Sequence, residues 1–298
     1  MFSQRTFIRI SLIVLTALGL SACASLSPSE PTTTPSATFT PEPPTATPEP
    51  LALTVNGEGI TIEEFDAEVA RYISAQESLG NSISSADATS TVIEDLTAQL
   101  LLAQGARAEG FTLDEAALQA RIDSLAAQIG GADNLSMWQA DHGYTDQTLR
   151  SALKRSAEAA WMRDKIIAAV PSTAEQVHVQ QILLYNQDTA QSFLLQLDGG
   201  ADFDELALRA DPLTRGDLGW VPRGYLLDEQ IEEAAFSLAV GGHSQVISTD
   251  VGFHILRILA TDSDRPLSPD AHLTLQELAL QKWVEEQRQQ ANIVLAPT

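Results

Sequence analysis

Apolar residues recur at helical spacing in the first half of the chain. Residues 91–109 place aliphatic side chains every three or four positions, and residues 118–129 and 149–167 repeat the pattern. Thr61 and Thr112 each precede a glutamate by three positions, which is typical of the first turn of a helix. Amphipathic stripes of this kind most simply form the core of a helical bundle.

Shorter apolar runs, separated by turn residues, follow after Pro171. Residues 177–184 alternate into an apolar run and predict a strand, whereas residues 211–219 are expected to form a loop. The other expected elements are helices at 189–197, 202–210 and 228–238 and strands near 245–247 and 253–259. This alternation predicts an α+β domain built on a small antiparallel sheet.

A basic and then apolar segment opens the chain. Arg5 and Arg9 precede an apolar stretch over residues 10–20, which leads into Leu-Ser-Ala before Cys23. These features are typical of a secretory signal, and the stretch is too short for a permanent membrane span. Its end resembles the lipobox of bacterial lipoproteins, which implies removal of residues 1–22 and lipidation of Cys23. The alternative is an ordinary signal peptide with an incidental thiol.

The next segment, residues 23–50, is rich in proline, threonine and serine. Few apolar residues are present to compensate for ordering the chain, and the prolines favour an extended form. We therefore expect a linker that holds the folded part away from the membrane.

Composition and charge narrow the possible functions. The 298 residues allow about two domains. A net charge of -23 and a pI near 4.3 argue against electrostatic binding of nucleic acid and favour cationic partners. Cys23 is the single cysteine, so an intrachain disulfide is impossible. The five histidines are scattered without metal-ligand spacing, and neither a metal nor another cofactor is expected.

Five segments between residues 199 and 255 carry a family resemblance. In chain order they read Gly-Gly-Ala-Asp-Phe-Asp-Glu-Leu-Ala, Arg-Gly-Asp-Leu-Gly-Trp, Ala-Ala-Phe-Ser-Leu, Gly-Gly-His-Ser and Thr-Asp-Val-Gly-Phe-His-Ile. In this order and spacing they resemble the parvulin family of peptidyl-prolyl cis/trans isomerases. Residues 55–61, Val-Asn-Gly-Glu-Gly-Ile-Thr, are similar to the opening of PrsA-type and SurA-type extracytoplasmic foldases.

The resemblance implies a domain organisation. Residues 51–171 would form a mostly helical, chaperone-like N-terminal domain, and residues 172–264 an inserted parvulin-like domain. Residues 265–298 would return as a helix and a strand that complete the N-terminal domain, with the strand pairing with residues 51–53. A free C-terminal helix that serves in dimerisation is the alternative.

The resemblance also implies site residues. The second histidine of the parvulin site corresponds to His254, the threonine of that site to Thr249 and its aspartate-or-cysteine position to Asp211. At the first histidine position this chain has Gln181, which donates and accepts hydrogen bonds but carries no charge. Strand alternation is expected to direct the nearby His178 to the opposite face. The apolar pocket positions correspond to Leu218, Leu227, Ile231 and Phe236, with Leu226 as an alternative to Leu227.

The function that follows from the resemblance is peptidyl-prolyl isomerisation by a foldase without cofactor. It would act on unfolded or newly secreted polypeptides with X-Pro bonds. We expect it outside the cytoplasm, attached to a membrane by its lipid anchor. Gln181 keeps open the alternative of a catalytically weak or inactive holdase chaperone. An envelope scaffolding protein without a folding role is a third hypothesis. In the foldase and in the holdase, one apolar stripe of the helical domain would stay exposed as a cradle for non-native chains.

Overall fold

A computed structural model describes residues 49–226 and 228–296. The candidate signal segment, Cys23, most of the proline-rich linker and Leu227 lie outside the described residues. Within the described ranges, every helix is too short or too polar to cross a membrane.

The N-terminal domain begins with a β-hairpin and continues as helices. Asn56 and Gly57 form the hairpin turn with φ angles of 54° and 84°, a region that asparagine and glycine enter most readily. The second strand of this hairpin was not expected from the sequence. The elements are β1 (Leu51–Val55), β2 (Glu58–Thr61), α1 (Ile62–Ser78), α2 (Ser85–Ala108), α3 (Glu115–Gln128), α4 (Ala132–Asp141) and α5 (Asp146–Ala168).

Capping side chains set where these helices begin. The Thr61 hydroxyl accepts a hydrogen bond from the Glu64 N–H at 3.2 Å, so α1 begins where the sequence predicts. The start predicted at Thr112 is wrong, because Asp114 is the N-cap of α3. Its carboxylate accepts from the Ala117 N–H at 2.7 Å.

The C-terminal elements complete the N-terminal domain. They are α9 (Pro269–Gln290) and β7 (Ile293–Leu295). Strand β7 pairs antiparallel with β1, with Leu295 opposite Leu53, and the sheet order is β2-β1-β7. Trp283 of α9 lies so close to α2 that a Cβ on Gly105 would be 2.7 Å from its ring. Helix α9 is therefore packed on the N-terminal domain and is not a free helix.

Two hydrophobic clusters stabilise this domain. One cluster joins the three-stranded sheet to α2 and includes the fully buried Leu53, Ile60 and Leu100. The other joins α3, α4 and α5 through residues such as Leu118 and Leu149. Burying each such side chain contributes roughly 1.5–3 kcal/mol to folding.

The second domain is inserted between α5 and α9. Its elements are β3 (Thr173–Leu184), α6 (Gln187–Asp198), α7 (Phe203–Ala210), β4 (Asp217–Pro222), α8 (Glu229–Ser237), β5 (Ile247–Thr249) and β6 (Gly252–Pro266). They build an antiparallel sheet in the order β4-β3-β6-β5. The α+β fold class is thus confirmed, whereas the residue limits of the domains stay a prediction. Strand β4 lies partly in the segment that the sequence assigned to a loop.

The sheet separates two hydrophobic clusters, and each cluster defines one face. The α6/α7 face buries Ile182 and Ile255 under Phe193 and Leu206. The α8 face buries Leu256 and its neighbours under α8. The start of β3 pairs with the end of β6, next to α5 and α9 of the N-terminal domain. There the Leu267 N–H donates to the Ser172 carbonyl at 2.9 Å.

Candidate active site

The β5–β6 hairpin presents Thr249 and His254 on the α8 face. Thr249 lies opposite Gly252 across the tight turn. A Cβ on Gly252 would lie 2.8 Å from the Leu184 carbonyl oxygen, and its φ is 147°, so this position requires glycine. His254 lies two positions before Leu256 on β6, and residues two apart on a strand point to the same face.

A chain of hydrogen bonds links Gln181, His254 and Thr249. The Gln181 Oε1 lies 3.0 Å from His254 Nδ1, and Thr249 Oγ1 lies 3.0 Å from His254 Nε2. Because an amide oxygen only accepts, Nδ1 carries the proton and Nε2 accepts from the threonine hydroxyl. The Val251 N–H donates in turn to Thr249 Oγ1 at 3.2 Å.

The histidine at the centre of this chain is buried and neutral. His254 is only 3% exposed to solvent. Burial lowers the pKa of His254 below its usual value, and the Asp228 carboxylate opposes that shift. Near pH 7 the ring is therefore uncharged, which agrees with the tautomer that the two hydrogen bonds require.

The loop that contains Gly216 is hydrogen-bonded to the backbone of Gln181. The Gln181 N–H donates to the Gly216 carbonyl at 2.8 Å. Gly216 has a φ of 68°, and a Cβ there would lie 1.7 Å from the Gln181 carbonyl oxygen. Only glycine permits this approach.

The residue before Gln181 anchors the same loop from the α6/α7 face. Gln180 donates to the Arg215 carbonyl at 2.9 Å and to Asp204 at 3.0 Å, and it accepts from Arg257. Arg257 also pairs with Asp204 at 2.6 Å. The hydrogen bond from Gln180 and then that from Arg257 lower the pKa of Asp204, which keeps this carboxylate ionised.

Beside the hydrogen-bonded chain is an open cleft of about 690 Å³. Leu218, Leu226 and Ile231 form its apolar part, and Gln181 and Thr249 its polar side. The sequence missed the remaining lining residues, which are Tyr225, Asp228, Gln230, Ser248, Asp250 and Val251. Positions 250 and 251 could have been inferred, because they lie in the short turn between the two predicted site residues Thr249 and His254.

Comparison with known proteins identifies the two domains. The SurA-like N-terminal domain family matches residues 10–159, which are 150 of the 298 residues. The chain belongs to this family. The PPIC-type PPIASE domain, a rotamase family, matches residues 166–260 and so contains the cleft.

PrsA foldases and a SurA chaperone are among the individual proteins that this chain resembles. A foldase protein PrsA from Geobacillus is 34% identical over 97 residues, which cover 31% of this chain and 35% of the relative. A chaperone SurA from Alcanivorax borkumensis is 27% identical over 172 residues, covering 56% of this chain and 37% of the relative. The chain thus spans about a third of the length of these curated relatives. The crystal structure of the peptidylprolyl isomerase PrsA from Bacillus cereus aligns with a TM-score of 0.42 and 18% identity, over 78% of this chain and 83% of the other.

Other predicted residues of the rotamase domain lie away from the hydrogen-bonded chain. Asp211 caps its own loop by accepting from the N–H groups of Leu213 and Thr214 at 3.0 and 3.3 Å and from the Thr214 hydroxyl. The hydroxyl bond, and then the backbone bonds, lower the pKa of Asp211. Phe236 does not line the cleft, and the Arg223 guanidinium lies 4.1 Å from its ring centroid. Their assignments to the site stay predictions.

Two further predictions concern residues near the sheet. His178 lies on the α6/α7 face, opposite to Gln181, where Nε2 is 2.8 Å from an Asp217 carboxylate oxygen. Leu227 is outside the described residues, and Leu226 lines the cleft next to it. Within residues 49–226 and 228–296, no group of three His, Cys, Asp or Glu side chains could hold a metal ion.

Proposed function

We propose that this chain is a peptidyl-prolyl cis/trans isomerase and foldase. It acts on unfolded or newly secreted polypeptides at the outer face of a membrane. The observation that carries the proposal is the Thr249–His254–Gln181 chain beside an apolar-walled cleft. The match to the PPIC-type domain and the similarity to PrsA foldases and to a SurA chaperone support it.

The reaction needs a shaped site more than a reactive group. Rotation about a peptide bond crosses a barrier of about 20 kcal/mol because the amide loses conjugation on the way. For an X-Pro bond the uncatalysed process takes roughly tens to hundreds of seconds. A site that binds the twisted amide better than either planar form accelerates the rotation without a nucleophile.

The cleft offers the groups that such binding requires. Leu218, Leu226 and Ile231 supply apolar contacts for the proline ring. Gln181 uses its amide oxygen on His254, while its amide nitrogen makes no hydrogen bond within the described part of the chain. That nitrogen is thus available to donate to the substrate carbonyl, which turns out of the amide plane. The neutral His254 and Thr249 keep Gln181 in this orientation.

A holdase with weak or absent catalysis is the second candidate, and Gln181 is the observation that favours it. Glutamine at this position carries no charge at any pH, whereas a histidine can. In this alternative the cleft still binds extended chains, but the bound amide gains too little stabilisation in its twisted form.

Cis/trans exchange on a panel of X-Pro peptides separates the two candidates, measured by NMR without a protease. We expect the purified chain to exchange the peptides well above the uncatalysed rate, and His254→Ala to abolish most of the gain. Exchange that is absent in the parent and appears in Gln181→His would instead exclude catalysis by the parent and leave the holdase as the candidate. Suppression of aggregation of an unfolded protein, measured in parallel, tests the chaperone function common to both.

The proposed membrane attachment is a lipid on Cys23, supported by the basic, apolar and Leu-Ser-Ala-Cys pattern at the N-terminus. In bacteria that make the full chain, Cys23→Ser is expected to move the protein from the membrane fraction to the soluble fraction. Retention of the variant in the membrane fraction would exclude a lipid at this thiol. The strong negative charge also makes nucleic acid an unfavourable partner.

A further inference from the structure

The cleft of the rotamase domain carries negative charge and no positive charge. Asp228 and Asp250 line it, and neither a lysine nor an arginine is among its described lining residues. The whole chain is acidic as well, with a net charge of -23. A cleft lined by one sign of charge concentrates ligands of the opposite sign.

Asp228 is held in a fixed orientation. As the N-cap of α8, its Oδ1 accepts from the N–H groups of Gln230 and Ile231, both at 3.0 Å. Its Oδ2 makes no hydrogen bond or ion pair in the described ranges. Burial lowers the pKa of His254, and the Asp228 carboxylate opposes that shift, as expected for a charge near the hydrogen-bonded chain. One oxygen therefore fixes the side chain, and the other is available to a ligand.

Asp250 lies on the other side of the cleft, at the tip of the β5–β6 hairpin. Its side chain is exposed and makes no hydrogen bond or ion pair with another described residue. The two carboxylates thus reach the cleft from two different elements, α8 and the hairpin.

The arginines of the same domain are engaged elsewhere. Arg257 pairs with Asp204 on the α6/α7 face, and Arg215 contributes to the low pKa of that same aspartate. Arg223 lies over the Phe236 ring and 3.6 Å from Glu175. Arg209 and Arg265 lie over the rings of Phe193 and Trp220. None of these five arginines forms an ion pair with Asp228 or Asp250 in the described part of the chain.

We infer that the cleft selects X-Pro bonds in which the residue before the proline is lysine or arginine, and disfavours those with aspartate or glutamate. This inference rests on the proposed function. With the proline ring against Leu218, Leu226 and Ile231, the preceding side chain shares the cleft with the two aspartates that line it. An ammonium or guanidinium group there is attracted by both, whereas a carboxylate is repelled by both.

Three blocked peptides that differ only in the residue before proline test the preference: Lys-Pro, Gln-Pro and Glu-Pro. Exchange rates and dissociation constants are measured by NMR in the same samples of the full chain. We expect kcat/KM for Lys-Pro to exceed that for Glu-Pro about tenfold at low salt, since both charge pairs change sign. The ratio should shrink towards one near 1 M salt, where the screening length is about 3 Å.

Charge-removing variants locate the effect. Asp228→Asn keeps the helix cap, because asparagine is as good an N-cap as aspartate, and Asp250→Asn changes an exposed turn residue. Each is expected to reduce the Lys-to-Glu ratio about threefold. Glu233→Gln removes the same charge from an exposed position of α8 that does not line the cleft, and should leave the ratio unchanged.

The outcomes are distinguishable from failure of the proposed activity. Exchange of all three peptides at equal rates, or a ratio unaffected by both aspartate variants, would overturn the preference and leave the isomerase intact. Without any exchange, the isomerase is excluded, and the dissociation constants decide the preference. Tighter binding of Lys-Pro that weakens in the aspartate variants supports it, and equal binding overturns it.

Discussion

The two faces of the four-stranded sheet use neighbouring glutamines in opposite ways. Gln180 is 4% exposed, and charged or backbone partners satisfy both ends of its amide. Gln181, half-buried on the α8 face, satisfies its oxygen through His254 and leaves its nitrogen without a hydrogen bond in the described chain. Both hold the loop around Gly216, one through its side chain and one through its backbone.

This difference separates stability from function along a single strand. A saturated polar network in a buried position stabilises one geometry, and losing a partner there costs the unpaired groups their hydrogen bonds. A polar group left open beside a cleft contributes little to folding but is free to bind a ligand. Substitutions on the two faces should therefore affect different measurements.

The largest effect is expected from Gly216→Ala, which disturbs both glutamines at once. Its Cβ would collide with the Gln181 carbonyl oxygen at 1.7 Å in a backbone region that already strains alanine. We expect a loss of about 3 kcal/mol in the free energy of unfolding, measured with urea.

Gly219→Ala is the matched control for that substitution. Gly219 has a φ of 73°, but a Cβ there would meet nothing within 4 Å. Strain alone should cost about 1 kcal/mol. Equal losses in the two variants would mean that the close approach of Gly216 to β3 is unimportant.

Gln180→Ala tests the saturated face. It removes the side-chain hydrogen bonds to three partners from a buried position and leaves Asp204 and Arg257 paired only with each other. The expected cost is about 2 kcal/mol in urea unfolding. A cost below that of Gln181→Ala would contradict the contrast between the faces.

Gln181→Ala tests the open face. The expected stability loss is about 1 kcal/mol, because the buried His254 N–H loses one partner, whereas Gln180→Ala deprives three partners of their hydrogen bonds. Proline exchange should nevertheless fall about tenfold, the equivalent of about 1.4 kcal/mol in transition-state binding. NMR exchange at matched concentrations checks this, and unchanged exchange would show that the amide of Gln181 does not contact the substrate.

The smallest effect is expected from pH, through His254. Since the folded protein lowers the pKa of His254, the unfolded chain binds the proton more readily. This residue's contribution to stability is complete above about pH 6.5, the usual histidine value, and is lost as pH falls towards the folded pKa.

Urea unfolding of the parent and of His254→Gln between pH 7.5 and 5.5 measures that contribution. The other four histidines remain in both proteins, so their effects cancel. The parent should lose stability more steeply than the variant as pH falls. Parallel curves would mean that the pKa of His254 is the same in the folded and the unfolded chain.

Part of the site could be predicted because the motifs that carry the parvulin resemblance are local. The resemblance indicated the positions of Gln181, Thr249 and His254, which the structure brings within hydrogen-bond distance. The rotation of a helix is harder to predict, and the pocket role expected of Phe236, whose ring contacts Arg223, stays a prediction. The loops that place Asp228 and Asp250 at one cleft have no periodicity to indicate their position.

Strand β4 and the predicted start of α3 show the same limits for the fold. The strand contains Gly219 at positive φ and lacks clear alternation, so it read as a loop. At α3, Thr112 and Asp114 both satisfy the capping preference, and sequence alone does not choose between them. Long amphipathic helices and the alternating β3 were predictable because their burial follows one period.

The pairing of β1 with β7 has a consequence for the order in which the two domains can form. Asn292 donates to Asn56 at 2.9 Å across 236 residues of sequence, so the loop that this contact closes is long. The strands of the inserted sheet all lie between these two residues, so that sheet can form before β1 and β7 meet. A chain cut after Pro266 would keep the inserted sheet and leave an exposed β1 edge, which is open to pairing with other chains. The outer domain is therefore closed by a segment that follows the inner domain.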